Sequence, residues 1–106
     1  MTVELLYFDG CPAEPAAFAL LERVLEEENV SEQVQRIAVP GPAATTELRF
    51  IGSPSIRIDG VDLEGPDAED ELGFGWRCRQ YSESEPGESK AVPSAELIRR
   101  RLKERE

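Results

Sequence analysis

Two side chains in this 106-residue chain can act as sulfur nucleophiles or soft-metal ligands, Cys11 and Cys78. There is no histidine, which removes imidazole general-base catalysis and most zinc patterns. What a thiol can do depends on where it sits. Cys11 is followed by Pro12, and beyond it Phe18, Leu21, Val24 and Leu25 recur at helical spacing. Proline suits a first helical position, where its missing N–H costs nothing, so a helix is expected from Pro12 to about Asn29 with Cys11 as its N-cap. Pro15 would still lie in the tolerant first turn. At such an end, unpaired backbone N–H groups and the helix dipole favour a thiolate. Glu14 opposes this if its carboxylate turns toward the sulfur, so only modest activation of Cys11 is expected. The plainer reading is a cysteine that caps and packs.

The elements that must hold these groups read off the apolar pattern. Val3 to Phe8 is apolar almost throughout and ends at Asp9-Gly10, as suits a central strand covered on both faces. Val34 to Val39 is a second strand, stopped by Pro40-Gly41-Pro42. A short helix is expected within Ala43 to Phe50. Ser55 to Asp59 alternates as a third strand, and Asp59-Gly60 signals a tight hairpin into a return strand, Val61 to Leu63. Residues 64 to 93 form a long acidic, Gly- and Pro-containing excursion that carries Phe74, Trp76, Cys78 and Tyr81. Ser94 then caps a last helix bearing Leu97, Ile98 and Leu102. The order β-α-β-α-β-β-α fits a single domain over residues 1 to 106, with no internal repeat.

Charge narrows the partners. The net charge of −10 argues against nucleic acid, whose binding needs clustered cations. Acid is concentrated at Glu64, Asp67, Glu69, Asp70 and Glu71, and base at Arg99, Arg100, Arg101, Lys103 and Arg105. No stretch approaches the ~20 apolar residues of a membrane span, and the N-terminus has no signal-peptide pattern. A cytoplasmic protein without membrane association is expected. In that compartment the two thiols are expected to be reduced, reactive or simply buried rather than a structural disulfide.

Two motifs carry a family resemblance. Phe8-Asp9-Gly10-Cys11-Pro12 resembles the nucleophile turn of the thioredoxin superfamily, with a Cys-Pro pair similar to that of glutaredoxins. Gly52-Ser53-Pro54-Ser55-Ile56 resembles the cis-proline segment that faces the nucleophile in that fold. Together with Cys78-Arg79-Gln80-Tyr81, the set is also similar to small bacterial thioredoxin-like proteins, some of them related to alkylmercury lyase. The resemblance implies an α/β three-layer thioredoxin-like domain with a four-stranded mixed sheet. It implies a cis peptide bond at Pro54, with the Ser53 backbone open beside Cys11 to pair with an extended thiol-bearing substrate in strand fashion. One departure matters: Glu14 stands where Cys-x-x-Cys proteins have their second thiol, so dithiol exchange within that motif is excluded.

In this architecture the excursion leaves from the sheet edge that holds Cys11 and is long enough to bring Cys78 close. The expected function is thus thiol–disulfide exchange: Cys11 the nucleophile, Pro54 the substrate-facing turn, and Cys78 the resolving thiol, supported by Arg77 or Arg79. Pro12, Ser53 and Trp76 would contact substrate, a thiol- or disulfide-bearing protein or a small thiol. No cofactor or resident metal is expected. One alternative is a non-catalytic binding module of the same fold, whose flap and acidic loop meet a protein partner, with Cys78 packed beneath Phe74, Trp76 and Tyr81. Another is soft-metal or organomercurial handling, with Cys11 and Cys78 as thiolate ligands and Glu14 as proton donor, as the outline of alkylmercury lyase implies.

Overall fold

The computed structural model describes residues 1–104; Arg105, the end of the basic run, lies outside the described residues. Four strands form one mixed sheet: β1 (Val3–Tyr7), β2 (Val34–Ala38), β3 (Ser55–Ile58) and β4 (Val61–Asp62), in the spatial order β2-β1-β3-β4. β1 runs parallel to β2 and antiparallel to β3, which runs antiparallel to β4. Three helices accompany them: α1 (Glu14–Glu27), α2 (Ala68–Leu72) and α3 (Ala95–Glu104). The fold is α/β.

β1 is central, and its sequence explains why. Val3 and Leu5 point to one face, where they meet Leu21, Val24 and Leu25 of α1, Ile56 and Ile58 of β3, and Ile98 and Leu102 of α3. Leu6 points to the other face and packs with Val39 and Phe50. A run apolar but for Glu4 is what burial on both faces requires. The β3–β4 turn has Asp59 at φ 52° and Gly60 at φ 81°, the two successive left-handed positions that make Asp-Gly the preferred tight hairpin pair. α3 begins where Ser94 Oγ accepts the Leu97 N–H at 3.0 Å. A second orphan donor, the Ala95 N–H, is taken by Glu85 Oε1 at 2.8 Å.

Three local expectations are corrected. α1 starts at Glu14, with Ala13 as its N-cap, so Cys11 is not the cap. A helix capped at Cys11 would need the residue 15 N–H to bond the Cys11 carbonyl, and Pro15 has none. That carbonyl instead accepts the Glu14 N–H at 3.3 Å, and the first full helical bond is Ala17 N–H to Ala13 O at 3.0 Å. Residues 43–50 do not make an α-helix; a 3-10 turn at Pro42–Ala44 leads into further turns. There Thr45 Oγ1 donates to the Pro42 carbonyl, a local bond that competes with helix propagation, and Arg49 adopts a left-handed φ of 54°. Finally, the acidic excursion is not all loop: Ala68–Leu72 forms α2.

Candidate functional site

The corner at the end of β1 is built from three chain segments. The Cys11 N–H donates to the Phe8 carbonyl at 3.2 Å, closing the turn that turns the chain out of the sheet toward α1. Gly10 makes this possible at φ 85°. The Phe8 N–H donates to Ser53 Oγ at 3.3 Å, which ties the corner to the segment before β3. The Ser53–Pro54 peptide bond is cis. Ser53 in turn is bridged to the excursion: its N–H donates to the Arg77 carbonyl at 2.8 Å, and its carbonyl accepts the Arg79 N–H at 3.0 Å. This is a parallel β-bridge between Ser53 and Cys78.

The excursion is therefore tied to the corner: the Cys11 turn bonds to Phe8, Phe8 to Ser53, and Ser53 to Arg77 and Arg79 on either side of Cys78. Trp76 caps it from outside, its ring 5.2 Å from that of Phe8 in an edge-to-face arrangement. The two thiols differ sharply in access. Cys11 is 6% exposed and lies at the margin of the core, whereas Cys78 is exposed. Neither is in a disulfide. Pro12 is exposed, Pro54 is buried, and Trp76 is exposed.

One expectation fails here on plain hydrogen-bond geometry. The Ser53 backbone is not open to an incoming strand, because the segment Arg77–Arg79 already uses both its donor and its acceptor. Ser53 is fully buried as a result. The close approach needs Gly52: at φ +135°, a Cβ there would lie 2.9 Å from Arg79 Cβ.

The arginines do not serve the sulfurs in the expected way either. Arg79 turns inward, with its side chain 2% exposed, and forks onto Asp62, with Nη1 to Oδ1 and Nη2 to Oδ2 both at 2.5 Å. It also donates to Glu64 Oε1 at 2.9 Å and to Ser55 Oγ at 3.2 Å, and its guanidinium lies 4.3 Å from the Tyr81 ring centre. Burial works against the Arg79 charge, but the bonds to Asp62 and Glu64 outweigh it and push its pKa up. Burial likewise tends to raise Glu64, yet the hydrogen bond and charge of Arg79, with help from Ser82, hold it below the ordinary carboxylate value. Arg77 spends its guanidinium on backbone carbonyls, those of Ile51 and Gly73 at 3.1 and 3.0 Å.

Tyr81 is buried beneath this network rather than forming an outer flap, and Cys78 is not packed under it. Its hydroxyl donates to the Pro54 carbonyl at 2.7 Å. Burial first, then the charges of Asp62 and Glu64, push its pKa up, with Arg79 opposing. The excursion is thus anchored on both sides of Cys78: Ser53 holds its backbone, while Arg79 and Tyr81 hold its side chains.

Glu14, three residues after Cys11, is buried and receives a forked contact from Arg36 of β2, Nε to Oε2 at 2.9 Å and Nη2 to Oε1 at 2.7 Å. The same guanidinium covers the Phe18 ring at 3.9 Å. Arg36 supplies the cation that balances Glu14. It also ties up the carboxylate that a proton donor to a metal-bound carbon would use. Among the described residues, no group of three or more Cys, Asp or Glu side chains is placed to hold a metal ion, and Cys11, Glu14 and Cys78 do not form one.

Sequence reasoning missed Arg36, Asp62 and Ser55. Asp62 sits in a strand otherwise apolar, between Val61 and Leu63, and an inward-facing acid there requires a buried cation. That signal pointed to a partner without naming Arg79. A surface cleft of about 330 Å³ between α2 and α3, bordered by Leu63, Leu72, Leu97 and Arg101, is lined by neither cysteine. No helix among the described residues is long and apolar enough to cross a membrane. Comparison of the chain with protein-family models, with curated proteins and with solved structures found no match.

Proposed function

We propose that this protein is a thiol–disulfide exchange protein of thioredoxin-like fold in which Cys11 and Cys78 form the working pair. The observation that supports this reading is the Ser53–Cys78 bridge, which ties the segment carrying Cys78 to Ser53, itself hydrogen-bonded to Phe8 of the Cys11 turn. Strand order β2-β1-β3-β4, with α1 following β1 just past the Cys11 turn, supports the fold assignment.

The chemistry balances with these two sulfurs alone. A thiolate of the pair attacks one sulfur of a substrate disulfide, forming a mixed disulfide and releasing the other sulfur as a thiolate that takes a proton from water. The second thiolate of the pair then attacks the protein's own sulfur in the mixed disulfide, forming Cys11–Cys78 and releasing the remaining substrate thiol. The substrate disulfide gains two electrons and the protein loses two. A low-molecular-weight thiol, acting through the reverse steps, restores the dithiol.

The test is mild oxidation of the reduced protein with glutathione disulfide, followed by peptide mapping. A Cys11–Cys78 bond formed within the monomer is the expected result. Mixed disulfides with glutathione that persist on both cysteines, with no internal bond, would overturn the reading. A non-catalytic binding module is the second reading, favoured by Leu72, Phe74 and Trp76, which are 40–44% exposed on the excursion beside the acidic α2.

A further inference from the structure

The unequal exposure of the two sulfurs assigns them an order. Resting on the exchange reading above, we infer that Cys78, not Cys11, is the thiol that first meets a bulky disulfide, and that Cys11 is the interior thiol that resolves it. This inverts the roles expected from the Cys11-Pro12 turn.

Three observations on separate groups lead there. Cys11 is 6% exposed, and its near neighbour Phe8 is covered by Trp76. The Ser53 N–H and carbonyl, which would hold an extended polypeptide beside Cys11, are both used by Arg77 and Arg79. Cys78 lies between those two residues with its own side chain exposed, on a backbone pinned by the Ser53 bridge and by the buried Arg79. A disulfide in a folded protein or on a polymer can reach this sulfur without disturbing the corner. Cys11, 6% exposed and packed in the main core cluster, offers a large disulfide almost no surface to reach. Thiol–disulfide exchange requires the attacking sulfur to approach along the S–S axis, so access weighs on the rate as directly as nucleophilicity does.

The electron and proton movements are those of the exchange cycle with the order now fixed. The Cys78 thiolate attacks the substrate disulfide and expels one substrate thiolate, which is protonated by water. Cys11 then attacks the Cys78 sulfur, the internal disulfide forms, and the second substrate thiol leaves. Small disulfides face less of a barrier at Cys11 than large ones, so the asymmetry between the two cysteines grows with substrate size.

The experiment uses Cys11→Ser and Cys78→Ser, each keeping one thiol, with two probes at the same pH: glutathione disulfide and a polyethylene-glycol pyridyl disulfide of several kilodaltons. The rate of mixed-disulfide formation is read by gel shift or mass. With the large probe, C11S is expected to react at close to the wild-type initial rate, and C78S at least ~10-fold slower. With glutathione disulfide the gap narrows. Trp76→Ala in the C78S background removes the outer cover and raises the rate of Cys11 with the large probe, which separates shielding from a thiol that is intrinsically inert. If C78S reacts with the large probe as fast as C11S, the assigned order is wrong. These rates are read from single thiols and do not depend on the internal disulfide, so failure of the order and failure of the exchange reading give different results.

Discussion

Replacing Arg79 by methionine should unfasten the excursion at its strongest point. The substitution keeps much of the side-chain volume but removes the fork onto Asp62 at 2.5 Å, the 2.9 Å bond to Glu64 and the 3.2 Å bond to Ser55. Asp62, with a side chain 2% exposed, is then left as an uncompensated buried carboxylate. Breaking a buried ion pair from one side costs about 3–5 kcal/mol. Glu64 is more accessible and recovers water, so the lower half of that range is expected. A small domain has ~5–15 kcal/mol of stability in total, and with a urea slope near ~2 kcal/mol per molar the midpoint should fall by about 1.5–2 M. Urea titration followed by far-UV circular dichroism measures this, with Trp76 fluorescence reporting the excursion itself. Asp62→Asn and the double variant complete a cycle, and a coupling of at least ~1.5 kcal/mol is expected. The same network has a pH signature. Glu64 is held below its ordinary value by Arg79 and Ser82, against the opposing pull of burial. The unfolded chain therefore takes up this proton first, near pH ~4.3, so the Glu64 contribution is present above that pH and is lost as pH falls through the lower native value. Wild type should lose more stability than R79M on acidification below about pH 5. An R79M midpoint within experimental error of wild type, with additive single effects, would refute the claim that this network anchors the excursion.

Tyr81→Phe tests the other anchor at alkaline pH. Its phenol is buried and its pKa is raised, first by burial and then by Asp62 and Glu64, so the unfolded chain ionises this group near pH ~10 while the native one keeps its proton. That contribution is full below pH ~10 and lost as pH rises toward the native value; thermal midpoints of wild type should fall there more steeply than those of Y81F. At neutral pH, Y81F should be less stable by about 1–2 kcal/mol, because the buried Pro54 carbonyl loses the donor at 2.7 Å. Gly52→Ala combines a left-handed φ of +135° with a Cβ 2.9 Å from that of Arg79, so a loss of about 2–3 kcal/mol is expected in the same urea assay. It should also speed labelling of Cys11 in C78S, since the Ser53 bridge must shift to admit the methyl group.

Much of this architecture was legible from the chain. The largely apolar run at Val3–Tyr7, the Asp59-Gly60 pair and the Ser94 cap each have one dominant physical meaning, and each took the form expected. What escaped were outcomes decided by two sites at once. Pro12 and Pro15 both favour a helix start, and only the missing N–H of Pro15 shows why Cys11 falls outside the helix. Within residues 64–93, local composition suggested an open loop. Its order comes instead from groups distant in sequence, Asp62 and Ser55 for Arg79, Pro54 for Tyr81 and Ser53 for the backbone around Cys78. That Cys78 reaches the corner followed from the sheet direction. That its own segment would occupy Ser53 did not, since strand-like bonding in a loop has no local sequence signature.

The outer strands of the sheet have a consequence for how the chain behaves at high concentration. β4 is only two residues long, and the chain turns away at Gly65, so that side presents almost no free ladder of donors and acceptors. On the other side, β2 exposes Gln35 and Arg36, and the Arg36 guanidinium is held across the sheet margin by Glu14. Short, charged margins of this kind discourage one copy from zipping onto the next. Glu14, by holding that guanidinium, thereby helps guard the sheet against edge-to-edge aggregation.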